Sequence, residues 1–325
     1  MGRMIDGVWH AGKVTEDAKD GAFKRQDAGF RDWVTADGGP GPDGQAGRPA
    51  AIGRYHLYVS YACPWAHRTL IVRALKGLEE AIGVSVVDPV MLEHGWTFAT
   101  TRGGTGDPLH HSDYLWQLYA RARPDYSGKV TVPVLWDKER GEIVSNESSE
   151  IIRMLGQAWD GLGALTGDLY PGALRGEIDA LNAEVYDAVN NGVYKAGFAT
   201  TQDAYEDAVG PLFATLDRLE ARLATRDWLV GDAMTEADVR LFTTLVRFDA
   251  VYVGHFKCNV RRIADYPALE AYLERMLDLP AIAASVHLDH IKTHYYASHR
   301  DLNPSGVVPV GPALPWADKV SGGRA

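Results

Sequence analysis

Residues 60–68 read Ser-Tyr-Ala-Cys-Pro-Trp-Ala-His-Arg. This stretch lies between a β-rich segment, 55–60, and a helix-like segment that begins at Pro64. Proline suits the first turn of a helix, where its missing N–H costs nothing. Cys63 is therefore expected where a strand ends and a helix begins. A thiol in that position meets unpaired backbone N–H groups and the positive end of the helix dipole, and both favour thiolate over thiol.

The chain offers Cys63 no second thiol close in sequence. A thioredoxin-type dithiol would place another cysteine at position 66, where this chain has Ala66. The other cysteine, Cys258, lies far along the chain. A mixed disulfide on Cys63 therefore needs an external thiol to resolve it, and glutathione is the abundant candidate in a cytosol. The alternative is an inert packing residue, because free cysteine is among the most buried residue types.

The composition is that of a globular protein with one large domain or two. Of 325 residues, 46% are hydrophobic and 23% are charged. The formal net charge of −10 argues against a nucleic-acid partner, which would need a basic face. Two cysteines cannot build a disulfide framework and fit a reducing compartment. The sequence shows no signal-peptide core and no apolar run of about 18 residues, so we expect a cytoplasmic protein with no membrane partner.

The order of the predicted elements indicates an α/β part followed by a helical part. Strands over 55–60 and 83–88 flank a helix over 64–79, and such a βαβ unit implies parallel strands. A β-hairpin over 130–136 and 142–144 follows, and a helix then opens near Glu147, among capping and acidic residues. Nearly all of the chain from about 173 to 292 shows helical periodicity.

Two segments of the α/β part depart from this regular pattern. Residues 93–128 are too long for a simple connection, and long loops in compact domains are often functional. Pro133 lies inside a strand-like run, where proline is normally confined to an edge or a special bend. A cis peptide bond before Pro133 would explain it. A trans proline at a strand end is the alternative.

Two further patterns are of kinds that can bind phosphate or metal, but neither leads us to predict such a site. Residues 103–106 are glycine-rich, yet no strand precedes them, so we predict a loop and not a phosphate cradle. His287, His290 and His294 have a spacing that can gather metal ligands on one helix face. Apart from Asp289, no acid or cysteine accompanies them, and we predict no metal.

This ordered set of features resembles the glutathione transferase fold. The resemblance implies a thioredoxin-like α/β N-terminal domain followed by an all-α helical domain. Three local features match the family: Val132-Pro133 its Val-Pro pair, Glu147-Ser148 its acid-serine pair, and Thr235 with Asp238 its capping box. The resemblance also implies how the chain is divided: an N-terminal arm (1–50), a thioredoxin-like domain (51–160), a helical domain (173–295) and a C-terminal extension (296–325).

Within that fold the chain resembles the glutathionyl-hydroquinone reductases, the Xi class of glutathione transferases. The match spans roughly residues 7 to 318 and rests on several segments, namely 21–25, 30–31, 62–68, the region of Trp96, 130–137, 190–195, 249–252, 258–259 and 294–296. The resemblance implies an enzyme that reduces glutathionyl-hydroquinones to hydroquinones through a Cys63–glutathione mixed disulfide and releases oxidised glutathione. An omega-like thiol transferase or dehydroascorbate reductase, and a non-catalytic aromatic-ligand carrier, are the alternatives. We also expect a homodimer, as is usual for this fold.

The resemblance implies a set of glutathione-binding residues around Cys63. Glu147 takes the γ-glutamyl ammonium group, and Ser148, at a helix start, takes the adjacent carboxylate. Val132, before Pro133, supplies backbone hydrogen bonds to the cysteinyl part of the tripeptide. The same resemblance implies that Trp96 packs over the tripeptide and that Lys129 places a positive charge near its carboxylate. A solvated surface charge is the alternative for Lys129.

The aromatic part of the substrate needs an apolar slot with hydrogen-bond partners for a phenol. The resemblance places Tyr194, Tyr252 and Tyr295 there, with a role in proton transfer to the departing ring. Tyrosine offers both a ring face and a polar tip. Ordinary helix packing is the alternative, since the chain contains 15 tyrosines.

Overall fold

The structure is a computed structural model that describes residues 2–320. Met1 and residues 321–325, the end of the predicted C-terminal extension, lie outside the described residues. The chain divides into two compact units: residues up to 13 with 26–168, and residues 14–25 with those from 169 onward. The predicted 1–50 arm is thus shared between both units. The predicted domain limits remain predictions, although the division after Asp168 falls between the predicted 51–160 and 173–295 domains.

Short strands occur mainly in the first unit, and helices dominate the second. The strands among the described residues are β1 (Arg3–Ile5), β2 (Val8–His10), β3 (Ala18–Lys19), β4 (Ala22–Phe23), β5 (Trp33–Thr35), β6 (Gly47–Pro49), β7 (Tyr55–Val59), β8 (Gly83–Val86), β9 (Val134–Asp137) and β10 (Glu142–Ser145). The α-helices there are α1 (Pro64–Leu75), α2 (Leu115–Ala122), α3 (Ser148–Gln157), α4 (Arg175–Val185), α5 (Gly192–Gly197), α6 (Gln202–Leu223), α7 (Glu236–Arg247), α8 (Val253–His255), α9 (Pro267–Leu277), α10 (Pro280–Ala283) and α11 (Leu288–Ser298). Two π-helical turns, Tyr186–Asn190 and Phe248–Tyr252, directly follow α4 and α7.

The core of the first unit is a four-stranded sheet in the order β10-β9-β7-β8. β7 pairs in parallel with β8 and antiparallel with β9, and β9 pairs antiparallel with β10. Every residue of β7 and β9 is buried, which explains their nearly continuous apolar sequence. The predicted βαβ unit and hairpin are therefore confirmed. So is the fold class, a mixed thioredoxin-like sheet followed by a helical unit.

The first predicted helix ends earlier than expected. The sequence pattern predicts 64–79, whereas α1 ends at Leu75. Gly77 has a φ of +63°, a conformation that glycine adopts without the steric cost other residues meet. The N–H of Lys76 bonds back to the carbonyl of Val72 and closes the last turn.

Strand β9 begins later than the predicted hairpin strand, which started at residue 130. The Val132–Pro133 bond is cis, as predicted, and β9 begins only after it. Proline has no N–H to give to a sheet. The N–H and carbonyl of Thr131 are instead bonded to the hydroxyl of Tyr119, at 3.2 and 2.8 Å. A side chain thus replaces the sheet ladder in this short stretch.

Both edges of the sheet are covered by segments outside the regular βαβ–ββα pattern. Thr105, in the long 93–128 segment, bonds Val86 of β8 through its N–H at 2.9 Å and its hydroxyl at 2.8 Å. At the other edge, the N–H of Asp32 donates to the carbonyl of Val144 in β10 at 2.9 Å. Open edges invite pairing with other chains. The two irregular segments therefore protect the sheet that positions Cys63.

A buried aspartate organises the long 93–128 segment. Asp107 accepts hydrogen bonds from the hydroxyl of Tyr58 at 3.0 Å and from the N–H groups of Leu109, His110 and Ser112 at 3.1–3.2 Å. Burial opposes its charge, but these hydrogen bonds hold the pKa of the Asp107 carboxyl below its usual value. The segment is thus a folded loop tied to β7.

The second unit is helical, as its periodicity predicts. The predicted capping box starts α7: the Asp238 carboxylate accepts the N–H of Thr235 at 2.7 Å, and also that of Leu229 at 3.0 Å. Among the described residues, no helix is long and apolar enough to cross a membrane.

Candidate active site

Cys63 occupies the N-cap position of α1, between β7 and the helix, as the sequence predicts. Its side chain is partly exposed, and its Sγ lies 3.5 Å from the carbonyl oxygen of Val132. Pro64 is the first residue of the helix. The interpretation of Cys63 as a buried packing residue is therefore wrong. Cys258 does fit that description, since it is fully buried and burial raises the pKa of its thiol.

The Glu147-Ser148 pair forms the start of α3. Glu147 is the N-cap, and its carboxylate accepts the N–H of Ser149 at 3.0 Å and the hydroxyl of Ser149 at 2.7 Å. Ser148 is the first helical residue and is only 3% exposed. A helix start of this kind favours a carboxylate ligand, because backbone N–H groups and the helix dipole point toward it.

A buried arginine joins the two helix starts. Arg68, on α1, is 1% exposed and lies with its Nη1 3.5 Å from the hydroxyl oxygen of Ser148. Its guanidinium carbon lies 4.5 Å from the ring centre of Trp65, in the range of a cation–π contact.

We call Cys63, Val132, Glu147 and Ser148 the thiol site. Arg68 was part of the quoted motif, but the sequence assigned it no role.

A second arginine reaches α3 from the N-terminal segment. The Nε of Arg31 donates to Oε1 of Glu150 at 3.0 Å, and the two residues form an ion pair. Burial raises the pKa of Glu150, while the hydrogen bond to that carboxylate raises the pKa of Arg31. The sequence did not predict this pair, because the two residues are 119 positions apart.

Two predicted glutathione residues lie in the loops that flank α2. Trp96 is 7% exposed, and its carbonyl accepts the N–H of Leu115 at 3.0 Å. Lys129 is half-buried, and its carbonyl accepts the hydroxyl of Tyr126 at 2.9 Å. Their roles toward the tripeptide remain predictions.

In the second unit, the three predicted tyrosines meet. The hydroxyl of Tyr295 lies 2.6 Å from that of Tyr194 and 3.0 Å from that of Tyr252. We call these three residues the phenol cluster. They come from α5, from the end of the second π-helical turn and from α11. Such π-helical turns are frequent at functional sites.

The phenol cluster is largely buried. Tyr252 and Tyr295 are 0% and 1% exposed, whereas Tyr194 is 9% exposed. Burial raises the pKa of Tyr252 and of Tyr295 well above the usual value for tyrosine. Both are therefore neutral near pH 7 and act as hydrogen-bond donors or acceptors, not as anions.

Sequence reasoning missed the residues around the phenol cluster. Arg25 stacks over the ring of Tyr194 and bonds to Asn191, while Phe256 packs beside Tyr194 and Tyr252. Arg25 and Asn191 belong to segments 21–25 and 190–195, whose family resemblance was the available signal. The contact between Arg25 and Asn191 forms only in the folded chain, because the two residues lie 166 positions apart.

The three spaced histidines do not share one helical face. His287 precedes α11 as its N-cap, while His290 and His294 lie within the helix. Burial lowers the pKa of His287 to about 4. Across residues 2–320, no cluster of three or more His, Cys, Asp or Glu is arranged to hold a metal ion.

Family models match both units of the chain. The model for the glutathione S-transferase N-terminal domain matches residues 62–158, and that for the C-terminal domain matches residues 202–275. The first match contains the whole thiol site, and the second contains Tyr252 of the phenol cluster.

Relatives with known names match over nearly the whole chain. Glutathionyl-hydroquinone reductase YqjG of Escherichia coli is 56% identical over 98% of this chain and 96% of its own length. Its glutathione-bound structure has a TM-score of 0.89 at 55% identity, covering 99% of this chain and 98% of that one. Glutathionyl-hydroquinone reductase PcpF of Sphingobium chlorophenolicum is 54% identical over 97% of both chains.

A solved structure described as a Xi-class glutathione transferase, from Natrialba magadii, has a TM-score of 0.90 at 48% identity and covers 97% of this chain and 95% of its own. The sequence resemblance is therefore confirmed across both units. The chain belongs to the glutathionyl-hydroquinone reductases, the Xi class of the glutathione transferase family.

Proposed function

We propose that this protein reduces glutathionyl-hydroquinones to hydroquinones, with glutathione as the co-substrate and Cys63 as the nucleophile. The observation that carries the proposal is the partly exposed thiol at the start of α1, beside the Val132 carbonyl. The only other cysteine of the sequence is buried in the other unit. An external thiol must therefore complete the cycle.

In the first step the Cys63 thiolate attacks the glutathionyl sulfur of the substrate. A sulfur–sulfur bond forms, and the bond between that sulfur and the ring carbon breaks. The electron pair of the broken bond leaves with the ring, whose carbon takes up a proton to give the hydroquinone. Cys63 is left as a mixed disulfide with glutathione.

In the second step a free glutathione thiolate attacks the glutathionyl sulfur of this mixed disulfide. Oxidised glutathione leaves, and the Cys63 thiolate is regenerated. The two electrons that reduce the ring thus come from two glutathione sulfurs, which end joined in one disulfide. A serine or tyrosine in place of Cys63 could not hold glutathione through a reducible bond.

The thiol site is proposed to hold the tripeptide. The Glu147 carboxylate faces the γ-glutamyl ammonium group, and the start of α3 at Ser148 binds the neighbouring carboxylate. The backbone of Val132, before the cis Pro133, hydrogen-bonds the cysteinyl part. Trp96 is proposed to pack over the tripeptide. Lys129 is proposed to place a positive charge near its second carboxylate.

The phenol cluster is proposed to bind the aromatic ring of the substrate. The Tyr295 hydroxyl lies within hydrogen-bond distance of the Tyr194 and Tyr252 hydroxyls, so three phenol groups converge at one place, and a phenol hydroxyl can donate to a ring oxygen or accept from one. Neutral Tyr252 and Tyr295 support Tyr194 in that role. A hydrogen bond to the ring oxygen also assists proton transfer as the hydroquinone departs.

Steady-state assays with alternative substrates test this proposal. We expect a higher kcat/KM for glutathionyl-hydroquinone than for small glutathione mixed disulfides or dehydroascorbate. A preference for the small substrates would instead establish the omega-like thiol transferase. A ligand carrier would bind aromatic compounds without turnover, and Cys63→Ser would leave that binding intact.

We also propose that the protein is a cytoplasmic homodimer. The resemblance to a fold whose members usually pair supports the homodimer. Sedimentation at micromolar protein is expected to give twice the chain mass of 35.6 kDa. A single species at the chain mass would contradict the dimer.

A further inference from the structure

A short N-terminal segment, residues 14–25, belongs to the helical unit. It folds back on itself in the antiparallel hairpin of β3 and β4. Gly21 has a φ of +82°, and its carbonyl accepts the N–H of Thr200 at 3.0 Å. A Cβ at Gly21 would lie 2.2 Å from the hydroxyl oxygen of Thr201, so only glycine fits there. The hairpin is thus fastened to the segment that precedes α6.

Arg25, which follows this hairpin, contacts both ends of one helical turn. Its Nε donates to Oδ1 of Asn191 at 2.9 Å. Its guanidinium carbon lies 4.9 Å from the ring centre of Tyr194 and 5.4 Å from that of Phe23. The N–H of Tyr194 bonds to the carbonyl of Asn191 at 3.0 Å. Arg25 therefore holds the side chains of two residues that the backbone already joins.

Tyr194 is the member of the phenol cluster that Arg25 touches. It is the most exposed of the three, and its hydroxyl lies 2.6 Å from that of Tyr295. The rings of Phe198 and Phe256 lie 5.8 and 5.4 Å from its own, centre to centre. Arg25 completes these contacts, which together set the direction of the Tyr194 hydroxyl.

Arginine is suited to this double contact and lysine is not. A guanidinium can hydrogen-bond an amide oxygen through one N–H while its flat, charged group stacks on an aromatic face. An ammonium group is a single compact charge and cannot reproduce both contacts with the same geometry. A fixed positive charge beside Tyr194 also favours hydrogen-bond donation from its hydroxyl to an oxygen that gains negative charge.

We propose that Arg25 is a positioning residue of the ring-binding site, which orients Tyr194 for its hydrogen bond to the substrate ring oxygen. It acts through Tyr194 and Asn191 and does not itself touch the substrate. The inference rests on the proposed function, in which the phenol cluster binds the ring. It extends that site to the N-terminal segment, since Arg25 lies 166 positions from Asn191 in the sequence.

The test compares two reactions in three variants. Arg25→Gln is expected to lower kcat for glutathionyl-hydroquinone roughly 10- to 100-fold, since small misplacements of a catalytic group have effects of that size. Glutathione exchange with a small mixed disulfide that has no ring should be unchanged. Arg25→Lys should restore part of the loss. Lys24→Gln removes the same charge from the exposed neighbouring residue and should match the wild type in both reactions.

A Tyr194→Phe background makes the test specific. There, Arg25→Gln should cause no further loss, because both changes affect the same hydroxyl. Three outcomes would each overturn the inference. The first is a wild-type kcat in Arg25→Gln, and the second is an equal fall in the rates of both reactions. The third is that Arg25→Gln lowers kcat as much in the Tyr194→Phe background as in the wild type. If Arg25→Gln does not fold, as judged by circular dichroism, Arg25→Lys is put through the same comparison and decides by the same criteria.

The wild-type protein separates this inference from the proposed function. If it turns over glutathionyl-hydroquinone, the variants decide the role of Arg25 alone. If it does not, the proposed function fails, and the inference fails with it.

Discussion

The thiol site is made largely of backbone, whereas the phenol cluster is made of side chains. Cys63 and Ser148 stand at two helix starts, and Val132 contributes a carbonyl oxygen 3.5 Å from the thiol. Tyr194 and Tyr295, in contrast, meet through hydroxyls in a buried aromatic packing. Helix starts supply N–H groups and dipole whatever the surrounding side chains. A side-chain cluster works only if each neighbouring contact is correct.

This difference has a consequence for mutational sensitivity. In the thiol site the proposed chemistry depends on one side chain, the Cys63 sulfur, and the remaining groups are proposed to adjust binding. In the phenol cluster the proposed role is spread over three hydroxyls, so each single loss should be partial.

Cys63→Ser is expected to lower turnover of glutathionyl-hydroquinone by at least about 10³-fold, because the hydroxyl cannot form the mixed disulfide. Binding of glutathione should persist, since the start of α3 is untouched, and calorimetry would measure it. Cys258→Ala is the matched control at the other cysteine and should retain turnover. Equal losses in both variants would remove the distinction between the reactive and the buried thiol.

Tyr295→Phe should lower kcat for glutathionyl-hydroquinone about 10²-fold, within the usual range for loss of acid–base assistance. Tyr295 bonds both partners, so its loss breaks the hydrogen bonds to Tyr194 and to Tyr252. Tyr252→Phe leaves the Tyr194–Tyr295 bond in place and should have a smaller effect. Stopped-flow release of hydroquinone measures each rate.

Tyr205→Phe is the control for these variants. It removes a hydroxyl that bonds the carbonyl of Lys257 in the same unit, outside the phenol cluster. We expect wild-type kcat. If Tyr295→Phe matches it, the three phenols are packing residues, as in the alternative interpretation of the sequence.

Glu147→Gln should raise KM for glutathione about tenfold, with a smaller change in kcat. The amide retains an oxygen for Ser149 but loses the charge proposed to face the ammonium group, and a hydrogen bond to a charged group contributes about 1.5–3 kcal/mol. Glu139→Gln removes an exposed acid in the same unit and should leave KM unchanged. A change in kcat alone would contradict a binding role for Glu147.

The smallest effect on turnover is expected from the buried histidines, which should act on stability alike in both units. Burial lowers the pKa of His56, in the first unit, and of His255, in the second, to about 4. The usual pKa in an unfolded chain is about 6.5. Between these values the unfolded chain binds more protons, so stability is lost as the pH falls from about 6.5 toward 4.

Each of these histidines should cost about 2 kcal/mol of folding free energy between pH 7 and pH 5. His56→Gln should therefore weaken the pH dependence of the urea midpoint, whereas His94→Gln, at an exposed side chain, should not. An unchanged slope in His56→Gln would show that other groups dominate the acid response.

The sequence predicted the thiol site more completely than the phenol cluster, and for a physical reason. The position of Cys63, the cis Pro133 and the start of α3 follow from residues that are neighbours in the chain. A strand-to-helix junction or a helix start is a local structure, so contiguous residues determine it. The α/β part followed by a helical part was likewise predictable from hydrophobic periodicity.

The remaining features depend on residues distant in sequence. Arg25 with Asn191, or Arg31 with Glu150, cannot be paired by periodicity, because no local rule joins positions more than 100 apart. The apolar pattern predicted a helix to residue 79, but α1 ends at Leu75, just before Gly77 with its positive φ. The three tyrosines were found by family resemblance alone, since nothing in their local sequence separates them from packing tyrosines.

Mass spectrometry of a single turnover shows whether Cys63 takes glutathione from the aromatic ring. The protein is mixed with one equivalent of glutathionyl-hydroquinone, without free glutathione, and digested under acidic conditions. We expect one glutathionyl group on the Cys63 peptide, one equivalent of free hydroquinone, and loss of the adduct when glutathione is added. Hydroquinone released without an adduct, or an adduct on Cys258, would contradict this expectation.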